Sequence, residues 1–102
     1  MTDEQTQRLM DLRAESFKVG ARCSAELGAS QPSLDLEIQE VARHGGSYRD
    51  GGAFSVLFSG SNETPLEQAM YRLDIDDVGV VDLLLVPISQ DEKNLCYEAV
   101  FA

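Results

Sequence analysis

What most restricts this chain is a succession of short alternating runs, each closed by turn-forming residues. Leu34, Leu36 and Ile38 alternate with Asp35, Glu37 and Gln39, the period-two signature of a strand with one face buried and the other wet. Phe54, Val56 and Phe58 alternate with Ser55, Leu57 and Ser59. From about Gln68 to Ile75, Tyr71, Leu73 and Ile75 share one parity. The stretch Leu95 to Phe101 sets Leu95, Tyr97, Ala99 and Phe101 against Cys96, Glu98 and Val100, and Phe17 to Leu27 places Phe17, Val19, Ala21, Cys23 and Ala25 together. Between the runs lie Gly28 to Ser33 with Pro32, the four-glycine stretch His44 to Gly52, Gly60 to Pro65, Asp76 and Asp77 before Gly79, and Gln90 to Asn94. These compositions turn the chain. Six strands at roughly the 8–12-residue spacing of all-β domains predict a mainly β fold, an antiparallel six-stranded small barrel or sandwich.

Three places depart from simple alternation. Residues 3–13 read as one short N-terminal helix, with Thr2 or Asp3 as cap and Leu9 and Leu12 as a narrow apolar stripe. The chain is thus expected to form a single domain over 1–102, a helix at about 3–13 and a β domain at about 17–102. Val41 falls on the wrong parity to continue the Leu34 run, so either that strand ends near Gln39 or a bulge shifts its phase. Val80 to Ile88 is apolar on both parities apart from Asp82 and Pro87, as a strand covered on both faces would be. Its second face, with the last strand, would carry Leu84, Val86, Cys96 and Val100. Cover would come from Leu9, Leu12 and Phe17, or from a partner molecule.

Composition narrows the partners. The 102 residues hold eight basic against eighteen acidic side chains, a net charge of −10. Residues 33–102 hold thirteen of the acids and only four of the Lys and Arg residues. Nucleic acid and anionic membrane surfaces need clustered Lys and Arg, so neither is expected as a partner. No apolar stretch approaches the ~20 residues of a membrane-spanning helix, and Met1 to Arg13 is unlike a secretory signal. A cytoplasmic location is the expectation, with Cys23 and Cys96 reduced.

The residues that could carry chemistry are few. The glycine-rich stretch has no phosphate-binding spacing and no helix after it. His44, the only histidine, would need Cys23 or Cys96 beside it for a nucleophile pair. A zinc site from Cys23, His44 and Cys96 lacks the usual local ligand pair. Asp74, Asp76 and Asp77 read as an acidic hairpin turn, without the spacing of a calcium loop. Asp82 is a lone carboxylate in an apolar strand: buried, it would be a functional candidate; facing out at a sheet edge, it would block edge pairing. No cofactor and no metal are expected.

Phe54-Ser-Val-Leu-Phe-Ser-Gly, Pro65-Leu-Glu-Gln-Ala-Met-Tyr-Arg-Leu, Leu83-Leu-Leu-Val-Pro-Ile and Tyr97-Glu-Ala-Val-Phe together resemble a small bacterial domain family catalogued only as of unknown function. The resemblance implies no catalytic residues. It implies a phage-tail-like or particle-assembly setting, among genes for phage-tail-collar-type proteins. The function expected is a non-enzymatic structural or protein-interaction module, acting through a protein partner or by self-association as a homodimer. The alternatives are a small-ligand carrier using a barrel interior and a small hydrolase using carboxylates such as Asp82 with His44.

Overall fold

The computed structural model describes residues 12–27, 33–45 and 53–101. The alternating runs form six strands: β1 (Arg22–Ala25), β2 (Leu34–Gly45), β3 (Ala53–Ser61), β4 (Ala69–Ile75), β5 (Gly79–Gln90) and β6 (Asn94–Phe101). Every pairing is antiparallel, and the ring closes in the order β1-β2-β3-β6-β5-β4, with β4 back on β1. The fold is therefore a barrel, not a sandwich.

One parity of each strand fills the interior. Ile38, Val56, Phe58, Leu73, Ile75, Val81, Leu85 and Tyr97 are almost completely enclosed, so the ring is packed like a core, as small barrels are. The two ends are closed differently. At one, Phe17 packs on the stacked pair Phe54 and Phe101, whose ring centroids lie 4.5 Å apart, with Leu12 and Ala14 also buried. At the other, the β3–β4 connection spans the barrel mouth, because β3 and β4 lie diametrically opposite in the ring. There Leu66 is buried and its backbone N–H donates to the Tyr97 hydroxyl at 2.9 Å. That bond satisfies a buried phenol and a buried amide together.

Several sequence expectations change here. The helix at 3–13 lies outside the described residues except for its last two, Leu12 and Arg13, which are not helical. The helical turn among the described residues is a 3₁₀ turn at Ala14–Ser16. Leu12 and Phe17 enter the barrel end and do not cover the outer face of the last two strands. The run from Phe17 yields a strand only from Arg22, because Gly20 at φ +91° breaks it and leaves Val19 exposed. At Gln39 the bulge is what occurs: the register shifts between Ile38 and Glu40, and β2 continues to Gly45. His44 consequently lies in β2 and does not begin a loop.

The strand read as covered on both faces is buried on one only. Val81, Leu83 and Leu85 point inward, whereas Val80, Leu84 and Ile88 are exposed. Pro87 stands where the β5–β6 register shifts, between Pro87 and Ser89, a position at which a missing ladder donor is tolerated.

Candidate functional site

The outer wall of β4, β5 and β6 is where apolar surface meets solvent. Met70 lies directly opposite Leu84, and the register that sets Val86 against Glu98 brings Leu84 level with Val100. The result is a row across three strands, with Met70 61%, Leu84 45% and Val100 62% exposed. Val86 is half-buried and Ile88 exposed beside it. Single exposed apolar residues are ordinary, but a contiguous row is not. Of the sequence-predicted face, Leu84, Val86 and Val100 fall together here. Cys96 lies further along β6, half-buried between Ser59 and Ser89. Met70 is part of the row although the sequence did not single it out; its outward parity in the Tyr71–Ile75 run was the available signal.

The row is bounded on one side by charge. Arg72 stands directly across from Asp82, and its Nε donates to Asp82 Oδ1 at 3.1 Å. That hydrogen bond, with the attraction of Asp82 and Glu26, raises the Arg72 pKa above its usual value. Asp82 therefore faces outward, in a strand flanked on both sides, and is neither a buried acid nor an edge charge.

Met70 also borders a surface groove that runs to the mouth spanned by the β3–β4 connection. One section, about 590 Å³, lies between Leu27, two residues past β1, and Pro65 to Glu67 of the connection. The next, about 520 Å³, reaches Arg72 and Asp82, and the two share Glu26, Met70 and Tyr71. Tyr71 is half-buried, and its hydroxyl donates to the Glu67 carbonyl at 2.7 Å. Burial, then the Glu67 and Tyr97 side chains, push the Tyr71 phenol pKa up.

The other sequence candidates stay apart. His44 is on β2 and Asp82 on β5, opposite walls of the ring, so the carboxylate–histidine pairing does not form. His44 Nε2 instead lies 2.9 Å from Ser55 Oγ, a contact across the β2–β3 hairpin that sequence reasoning missed. Its signal was the position of the two residues at either end of the glycine-rich stretch. A serine–histidine contact is a catalytic beginning only with an accessible hydroxyl and a group to orient the ring. Ser55 is 4% exposed. Cys23 and Cys96 are both free and sit on strands that are not neighbours, so no disulfide joins them. Burial, with a smaller push from Asp76, raises the Cys23 thiol to about 12, which makes it an inert core thiol. Among the described residues no group of three or more His, Cys, Asp or Glu is placed to hold a metal ion, and no helix is long and apolar enough to cross a membrane.

Residues 12–101 match the model of a family described as "Domain of unknown function (DUF6916)", and the chain belongs to that family. Neither the curated proteins nor the solved structures hold a significant match to it.

Proposed function

From membership of a family without an assigned activity, we propose that this domain is a non-enzymatic protein-interaction module whose contact surface is the outer wall of β4, β5 and β6. The observation that carries the reading is the exposed row Met70, Leu84 and Val100. These side chains add nothing to the packed interior, and an apolar strip left in water is a liability unless something binds it. The non-enzymatic part is supported by the engagement of Asp82 with Arg72 and by its separation from His44. The ligand-carrier alternative finds no support in an interior filled by large side chains.

The partner is proposed to be a protein of opposite charge. At −10, two copies repel one another, whereas a basic surface is attracted and oriented. A cytoplasmic, particle-assembly setting of the phage-tail kind, which the family resemblance implies, is the context proposed for that partner.

The test places a photo-crosslinking residue at position 84 or 100 in the native host, with position 92 in the β5–β6 turn as control. A distinct adduct from 84 and 100 that is missing from 92 is expected. Equal labelling from all three positions, or none, would overturn the reading. Light scattering at high concentration should show a monomer; a dimer that dissociates in Leu84→Asp would instead make a second copy the partner.

A further inference from the structure

We infer that the groove beside Met70 receives an extended basic segment of the partner, with an apolar side chain laid on Met70 and Tyr71 and a Lys or Arg against Glu26 and Glu67. This rests on the interaction-module reading and gives its partner a chemistry. Three observations converge on it.

The first is charge. Among the described residues Glu26 and Glu67 form no ion pair, while Arg72, the cation of the groove, is already held by Asp82. A ligand entering the groove therefore meets Glu67 without an ion-pair partner and Glu26 facing only Arg72, whose guanidinium Asp82 already holds. The whole chain adds a long-range field of the same sign, which concentrates basic segments and repels acidic ones.

The second is the apolar floor. Met70 is largely exposed and lies between both sections of the groove. Its unbranched thioether adapts to varied apolar side chains. Tyr71 forms a firmer floor beside it, fixed by its bond to the Glu67 carbonyl. That bond also ties the connection carrying Glu67 to the start of β4.

The third is backbone. The ladder between β1 and β4 is registered only from Cys23–Ile75 to Ala25–Leu73, with one more bond from Glu26 N–H to the Arg72 carbonyl at 3.0 Å. β4, however, begins at Ala69. Hydrogen-bonding direction alternates along a strand, so Met70 turns its N–H and C=O to the same side as Arg72, toward the groove. Among the described residues no β1 partner meets it there. An extended peptide can use such an edge, which a small cation cannot, and this selects a polypeptide as the occupant.

The test titrates the full chain into a fluorescently labelled synthetic peptide of alternating Lys and Leu, and into the same peptide with Glu in place of Lys, at low salt. The Lys peptide should bind and shift the Met70 methyl resonance; the Glu peptide should do neither. Glu26→Gln combined with Glu67→Gln should weaken the Lys peptide by about tenfold, the scale of two surface charge pairs. Met70→Ser should weaken it by a similar factor, with an unchanged melting temperature showing that the barrel is intact. Glu37→Gln, which removes a like charge from the exposed outer face of β2, should leave the peptide affinity unaltered. Equal binding of both peptides, or indifference to the groove variants, would overturn the inference. If a partner crosslinks from positions 84 and 100 yet the groove variants do not affect its capture, the groove assignment fails and the module reading stands. If neither partner nor peptide binds, both fail.

Discussion

Leu84 and Leu85 are neighbours in β5 with the same side chain and opposite fates. Leu85 is completely enclosed, while Leu84 keeps 45% of its surface in water. The same contrast runs through the wall: Leu83, Tyr97 and Ala99 are inside, Val80 and Val100 outside. Apolar character on two parities therefore does not mean two buried faces. A closed ring has one interior, and once one parity fills it the other is free for something besides folding. The inner face makes the barrel; the outer face is apolar surface that adds nothing to its packing.

The largest expected effect sharpens that contrast within a single pair. Leu85→Ala should cost about 2–5 kcal/mol of unfolding free energy, and Leu84→Ala no more than about 0.5 kcal/mol, both read by urea denaturation. Comparable losses would mean that the outer leucine belongs to the core, and the division would break. Next comes the one polar atom of the inner face described above. Tyr97→Phe leaves the Leu66 N–H without its acceptor and should cost about 1–3 kcal/mol, with faster hydrogen exchange at Leu66 as the local sign.

The two thiols give a chemical version. A thiol reagent at mildly alkaline pH should modify half-buried Cys96 and spare Cys23 until the chain is unfolded. Cys23 also links pH to stability. Its folded pKa of about 12 lies above the usual 9.0, so the buried thiol's contribution is intact below about pH 9 and declines as pH rises toward 12, where the unfolded chain releases its proton first. Cys23→Ala should flatten that alkaline decline. The smallest effect is expected from Val100→Thr, which should leave the melting temperature within about 1 °C, since an exposed position costs little to make polar.

Much of the barrel was legible in the sequence because its cause is local. Leu34 to Gln39, Phe54 to Ser59 and Tyr71 to Ile75 alternate, and alternation is what a one-sided strand requires. The turn at Asp76 and Asp77 was legible for the same reason, since Asp77 takes φ +69° and aspartate tolerates that region. What was hidden depends on distant partners. Nothing near Phe17 in sequence says that it joins Phe54 and Phe101, and nothing near Leu66 says that it reaches Tyr97. Leu84, Val86 and Val100 share the outer side of the wall as their parity implied, whereas Leu12 and Phe17 are buried at the barrel end, because parity shows which residues share a side and not what lies over them. Asp82 was visible as an anomaly; its resolution needed the register that sets Arg72 opposite.

The strand order carries a further consequence for how the molecule is made. β6 is the last of the six strands in the chain, yet it lies between β3 and β5, like a final stave driven into a gap. Until residue 101 has cleared the ribosome, β3 and β5 each wait with one side unpaired. The growing polypeptide can hold one open curved sheet, in the order β3-β2-β1-β4-β5, but no ring. Such open sides invite pairing with other nascent chains, so the aggregation hazard lasts until β6 has been made, and a stop codon upstream of Asn94 would make that hazard permanent.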